Sequence, residues 1–242
     1  MYSYEMLPGK TVSRVPSAPV FSNLLTHLKT FWIKKDITLK QKSEFKKACN
    51  SFYKHKTLKR VKLYFDKFSE EDTIENINGV DMPKLEDLLS EVPWDRLSDG
   101  IPVRFHGDLH FENILMSQTG NFHFLDWRQD FGGIKDYGDL YYDLAKLLHG
   151  LIVSHELINK ECYSIQQTAN VIVYDLHRKH SLIKNEKQLY DFIESEGLDC
   201  FKVKLLTYLI FLNIAPLHHD PYSKMLFYLG KEGLFNLLKE NK

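Results

Sequence analysis

The stretch that constrains this chain most is Arg104-Phe105-His106-Gly107-Asp108-Leu109-His110-Phe111-Glu112-Asn113-Ile114-Leu115, followed after a short turn by Phe122-His123-Phe124-Leu125-Asp126-Trp127. Brief apolar runs alternate with polar loops. Val103 to Phe105, Ile114 to Met116 and Phe122 to Leu125 therefore read as short strands, the last two joined through Ser117-Gln118-Thr119-Gly120-Asn121. Around this hairpin stand two carboxylates, Asp108 and Asp126, and the carboxamide of Asn113. Oxygen donors of this kind suit magnesium, and a carboxylate beside such an ion can accept or orient the proton of an attacking hydroxyl.

The spacing narrows the chemistry. In phosphoryl-transfer sites the acid that receives the hydroxyl proton is followed five residues later by an asparagine on magnesium, and a second acid after the next strand supplies another metal oxygen. Asp108 and Asn113 have that separation, 113 − 108 = 5, and Asp126 occupies the later position. At these residues the chain resembles the aminoglycoside phosphotransferase and choline kinase group of the protein-kinase-like family, whose hallmark is His-Gly-Asp, four residues, Asn, then an Asp-Trp-like pair. The likeness extends through Tyr137-Gly138-Asp139-Leu140-Tyr141-Tyr142-Asp143-Leu144-Ala145-Lys146, similar to the segment that opens the helix after that site. More narrowly, Phe105 to Gly150 resembles phosphotransferase-like proteins of bacterial capsule and surface-polysaccharide gene clusters, some fused to a sugar nucleotidyltransferase.

The resemblance implies ATP and Mg2+ as cofactors and a small-molecule hydroxyl, on a sugar or an amino alcohol, as acceptor. It assigns Asp108 to the hydroxyl proton, His106 to bracing the loop, and Asn113 and Asp126 to the metal and nucleotide phosphates. Asp139 and Asp143 become acids that orient the loop from behind. Tyr4-Glu5-Met6-Leu7-Pro8-Gly9-Lys10 is similar to the family's hinge, which would put Glu5 on the cofactor side. The implied fold is mainly α (α+β), a kinase-like C-terminal helical lobe with a small catalytic β-hairpin. Residues 1–15 form a hinge-like segment and 16–242 the lobe, with a catalytic core over 99–160 and a helical C-terminal part over 161–242. No Gly-rich phosphate loop and no strand lysine precede the Asp108 loop, so the N-terminal nucleotide lobe is expected to be missing or supplied by a partner chain. Gly9-Lys10-Thr11 reads as a hinge turn, because the first glycine of a phosphate-binding loop is absent and Pro8 interrupts. The apolar hinge edge, with Tyr2, Tyr4 and Met6, also favours self-association.

Three rivals follow from the same residues. Asp130-Phe131-Gly132 spells the kinase metal motif, but Asp126 comes straight after the strand, thirteen residues past Asn113, and fits a single hairpin. Asp130 then belongs to a glycine-rich turn. His106-x-Asp108-x-His110 could hold zinc in a hydrolase, which leaves Asn113 and Asp126 without a role. Without a nucleotide lobe, the chain could also be a non-catalytic binding or regulatory remnant. His110 reads equally as a group at the site mouth and as a loop-stabilising side chain.

Composition sets the frame. Among 242 residues, Lys+Arg and Asp+Glu balance at 32 each, so no global field draws nucleic acid or an anionic membrane. Cys49, Cys162 and Cys200 are unpaired by motif and read as reduced thiols, and the start lacks a signal-peptide layout, which together point to a cytoplasmic protein. The apolar run Leu205 to Leu217 is too short to span a bilayer. Helical periodicity covers Phe21 to Trp32, Phe45 to Phe68, Lys84 to Val92, Lys187 to Glu196, Phe201 to Asn213 and Ser223 to Leu238. Lysines and Arg60 between the aromatics of the second stretch read as a solvated face. Asp139 sits where a helix N-cap belongs, and Asp143 follows in the first turn. Tyr163 to Gln167 and Val171 to Leu176 suit either a hairpin or a helix, and His218-His219-Asp220 reads as a surface loop.

Overall fold

A computed structural model describes residues 8–241. The hinge residues Tyr4 to Leu7, with Glu5 among them, and the self-association residues Tyr2, Tyr4 and Met6 lie outside the described range. Strand β1 (Gly9–Thr11) leads through a 3₁₀ turn to α1 (Ala18–Phe31), α2 (Leu39–Asn50) and α3 (Lys56–Phe68), with a π-turn over Ser51–His55 between the last two. Then come β2 (Glu75–Ile77), β3 (Val80–Met82), α4 (Leu85–Glu91), α5 (Trp94–Leu97) and β4 (Pro102–Val103). The hairpin is β5 (Ile114–Ser117) and β6 (Phe122–Phe124), followed by β7 (Gly138–Asp139), α6 (Leu140–Ile152) and α7 (His155–Asn159). Strands β8 (Tyr163–Thr168) and β9 (Val171–Leu176) precede α8 (His180–Ser195), α9 (Cys200–Ile214) and α10 (Tyr222–Glu240).

Helices dominate because apolar residues recur on one face of each. Phe21, Leu24, Leu25, Leu28 and Phe31 of α1 are all buried, and Ser17 caps that helix through the Val20 amide. A capping box of Thr38 and Gln41 starts α2. Helix α6 is buried nearly all round and packs against α8 and α9, with α10 and α3 also on α9. The apolar run at the centre reaches from Cys200 to Leu217, longer than its sequence span suggests. By length and composition it passes for a membrane span, yet 67% of it is buried as the central core helix. One contiguous apolar core extends from Val12 to Leu238.

Two sequence expectations change in the fold, and one left open is decided. Gly9-Lys10-Thr11 is not a hinge turn but β1, antiparallel to β5 with Gly9 opposite Ser117 and Thr11 opposite Leu115. The edge of β5 needs a partner for its backbone groups, and only glycine fits there, since a Cβ at position 9 would stand 2.5 Å from the Met116 carbonyl oxygen. The β5–β6 hairpin is thus the core of a three-stranded sheet, β1-β5-β6. The strand expected at Val103 to Phe105 is Pro102–Val103 and pairs with Gly138–Asp139, away from the hairpin. Phe105 leaves it because its ring packs on Gly138, where a Cβ would fall 2.6 Å from ring carbons. Residues 163–176 form the hairpin, not the helix, and β9 also runs parallel to β2, giving the order β3-β2-β9-β8. The β2–β3 turn at Asn78-Gly79 has both φ angles positive, as a two-residue hairpin loop demands.

Candidate functional site

The Asp108 loop is built from its backbone outward. Asp143, on the first turn of α6, is fully buried and accepts hydrogen bonds from the His106 amide at 2.9 Å, the Gly107 amide at 2.7 Å and the Trp32 indole at 3.0 Å. Gly107 turns with φ 80, and a Cβ there would meet the Arg128 side chain at 2.6 Å. Burial pushes the Asp143 carboxyl up to about 6, against the pull of those donors toward the anion. Asp139 forms a second clamp. It accepts from the Ile101 amide at 2.9 Å, the Tyr53 hydroxyl at 2.6 Å and the Tyr141 amide at 3.2 Å. The expected cap on α6 is therefore also a tie between the π-turn and the strand that enters the loop.

His106 is sealed in the core, and both ring nitrogens are committed. Nε2 faces the Leu125 carbonyl at 2.7 Å and Nδ1 accepts the Asp108 amide at 3.1 Å. Its carbonyl accepts from the Arg128 amide at 2.9 Å. Burial lowers its basicity, which keeps the neutral tautomer this pattern requires. The alternation of His106, Asp108 and His110 is accordingly not a zinc ligand set, since no nitrogen of His106 is free for a metal.

Asp108 emerges half-buried on the far side of that brace. Its Oδ1 lies 2.7 Å from Lys146 Nζ, and its Oδ2 lies 3.4 Å from His110 Nε2 and 3.3 Å from Asn113 Nδ2. Asn113 Nδ2 also donates to the Asp108 carbonyl at 3.0 Å. Burial alone would raise the Asp108 carboxyl, but the His110 hydrogen bond and the Lys146 charge outweigh it and hold the group well below the usual carboxylate range.

Asp126 follows Leu125, whose backbone is tied to the Asp108 loop. The Leu125 amide donates to the Asn113 carbonyl at 2.8 Å, while its carbonyl receives the His106 ring. The chain then turns at Asp126, whose φ is 54, and exposes a carboxylate with no hydrogen-bond partner among the described residues. Asp130, by contrast, accepts the Gly133 amide at 2.9 Å and caps its own turn. His106, Asp108 and Asn113 are thus joined by hydrogen bonds, Asp126 follows the residue that ties two of them, and Glu5 lies outside the described residues.

For the magnesium that the resemblance implies, the donor set fits. Both amide hydrogens of interest on Asn113 point at Asp108 atoms, which turns its carbonyl oxygen the other way, and Asp126 offers a free carboxylate. Cationic side chains surround the loop. Lys56 lies 4.2 Å over the Phe52 ring and Arg128 5.1 Å over the same ring. Burial, with Arg128, Arg60 and Lys146 nearby, pushes the Lys56 ammonium down to about 7. The face read from sequence as merely solvated thus turns partly inward.

Lys146 was the residue sequence reasoning passed over. Its signal was a lone cation inside the run Leu144-Ala145-Lys146-Leu147-Leu148, where amphipathic spacing allows no solvated face. Glu112 and His155 were missed too. Glu112 lies 2.9 Å from His110 Nδ1 through Oε2 and 3.5 Å from His155 Nδ1 through Oε1.

Residues 52–159 match the family described as phosphotransferase enzyme family. That range spans most of the π-turn, the Asp108 loop, the hairpin and all of α6 and α7, and it supports a place for this segment in the aminoglycoside phosphotransferase and protein-kinase-like superfamily. No curated protein and no solved structure matches the chain.

Proposed function

We propose that the protein is an ATP-dependent phosphotransferase acting on a hydroxyl of a small molecule. The observation that carries this reading is Asp108. It is an ionised carboxylate held by a fully bonded loop, linked to an asparagine five residues on, and faced by Lys146. Kinship of residues 52–159 with the phosphotransferase family supports the same reaction type.

In the proposed step the acceptor hydroxyl oxygen bonds to the γ-phosphorus of ATP as the bond to the ADP oxygen breaks. The hydroxyl proton passes to Asp108, and ADP leaves with the electron pair. A carboxylate this stabilised is a weak base, so its main contribution is to orient the hydroxyl, which suits a transition state with little bond formation to the nucleophile. Magnesium, bound by Asn113 and Asp126, would neutralise phosphate charge. Lys146, Lys56 and Arg128 supply further positive charge beside the reacting group, and His106 and Asp143 keep the loop rigid. An acceptor from surface-polysaccharide synthesis agrees with the resemblance of residues 105–150.

Calorimetric titration with ATP and Mg2+, alone and then with candidate sugars and amino alcohols, tests the reading. The expected result is magnesium-dependent nucleotide binding and transfer of label from [γ-³²P]ATP to one acceptor class. A chain that binds no nucleotide under any of these conditions would return the remnant reading to favour.

A further inference from the structure

We propose that His110, Glu112 and His155 form a binding site for a zinc-class divalent ion at the rim of the Asp108 loop, separate from the oxygen-donor pair Asn113 and Asp126. The three side chains come from different elements: the end of the Asp108 loop, the 3₁₀ turn over Phe111–Asn113, and the first residue of α7. One ligand atom from each lies within 4.8 Å of the other two. Around a tetrahedral zinc with bonds of about 2.0 to 2.1 Å, ligand atoms stand about 3.3 Å apart. The nearest approaches, His110 Nδ1 to Glu112 Oε2 at 2.9 Å and His155 Nδ1 to Glu112 Oε1 at 3.5 Å, run to the two oxygens of one carboxylate and lie close to that spacing. Two imidazoles and one carboxylate leave a fourth position open, the donor set of catalytic rather than closed structural zinc sites. Imidazole also selects against magnesium, so the two sites would not compete for one ion.

A second observation points the same way. His149, on α6, is only 3% exposed, and neither of its ring nitrogens has a hydrogen-bond partner among the described residues. Its ring stands 6.5 Å from that of His155 in a T-shaped arrangement. A buried imidazole is normally bonded at one nitrogen at least. Here it lies beside the cluster's His155, with hydrogen-bonding capacity that the described residues leave unused.

The site would act on Asp108 through His110. With the ion on Nδ1, the proton must sit on Nε2, the nitrogen that faces Asp108 Oδ2 at 3.4 Å. That is the carboxylate–histidine–metal arrangement, in which the outer carboxylate fixes the ring and strengthens the ligand. Occupancy would therefore lock the orientation of Asp108.

The test uses the full chain, stripped with a chelator and free of nucleotide, titrated with zinc chloride against a chromogenic zinc chelator. The expected result is one equivalent bound, at least tenfold weaker in both His155→Ala and Glu112→Gln, and not displaced by millimolar magnesium. The X-ray absorption spectrum of the zinc form should show nitrogen and oxygen neighbours without sulfur. His155 is 41% exposed and starts a five-residue helix, so its alanine variant should fold, which circular dichroism would verify. No bound equivalent, binding unchanged in His155→Ala, or sulfur ligation from the free cysteines would each overturn the proposal. Because no nucleotide is present, a negative here leaves the phosphotransfer reading standing, and failure of phosphotransfer leaves the zinc result intact.

Discussion

Two of the lysine–carboxylate pairs among the described residues, Lys231–Glu75 and Lys146–Asp108, have different surroundings. Lys231 meets Glu75 at 2.5 Å with side-chain exposures of 0% and 9%; Tyr228 bonds Glu75, and the Thr73 carbonyl and, at 3.9 Å, Asp72 also face the ammonium. Lys146 meets Asp108 at 2.7 Å with exposures of 9% and 31%. The first pair joins β2 to α10 and has no open side. The second has an inner wall of hydrogen-bonded backbone and an outer face toward solvent. A sealed pair can only hold elements together, whereas a pair with one open carboxylate edge can receive a third party. The same contrast separates Asp143, with three donors, from Asp126, with none among the described residues.

The comparison breaks most sharply at the two pairs themselves. Lys231→Met should cost about 3 to 5 kcal/mol of stability, since it strands a buried Glu75. Urea unfolding would measure this, and a loss below about 1 kcal/mol would mean that the sealed pair is not structural. Asp108→Asn should instead lower phosphoryl transfer by about 10² to 10⁴, or roughly 3 to 5 kcal/mol of barrier, with the fold retained by circular dichroism. A loss of turnover under tenfold would remove Asp108 from the proton transfer.

Asp143 gives an intermediate effect and a sign. Its folded carboxyl sits near 6 against an ordinary 3.8, so the native state binds this proton more tightly than the unfolded chain does. Its linkage therefore favours folding fully below about pH 4, and that advantage is lost as pH rises through about 6, amounting to about 3 kcal/mol at most. Asp143→Asn should flatten the slope of stability between pH 4 and 7, measured by denaturant titrations. Parallel slopes in parent and variant would show that the carboxyl is not perturbed. The smallest effect is at Lys56, whose ammonium is pushed down to about 7. Binding of an anionic substrate should weaken severalfold as pH rises from 7 to 9, and Lys56→Arg should remove that trend because arginine keeps its charge. A pH-independent KM in the parent would place Lys56 away from the anion.

Much of the site's local geometry could be read from the chain alone. The β5–β6 hairpin follows from two apolar runs around a Gly-containing turn, and the Asp139 cap from its place before an apolar period. What could not be read depends on distant partners. Trp32 reaches Asp143 across 111 positions, and Tyr53 reaches Asp139 across 86. The parallel pairing of β2 with β9 has no local signal, because β2 is only three residues long and β9 is largely exposed along one face. Glu112 was overlooked because its neighbours Asp108 and Asn113 already filled a known spacing. His155 was overlooked because it lies on a short, exposed helix. Gly9 to Thr11 misled because a strand of three residues at a sheet edge looks no different from a turn until its partner is known.

Leu125 carries one more implication. Its peptide is gripped at both ends, by Asn113 on the amide and His106 on the carbonyl, while its side chain is 40% exposed. Isoleucine, threonine or glutamine at this position should be tolerated, but proline, which has no amide hydrogen, should unseat Asp126. A position can thus be open to many side chains and closed to one backbone.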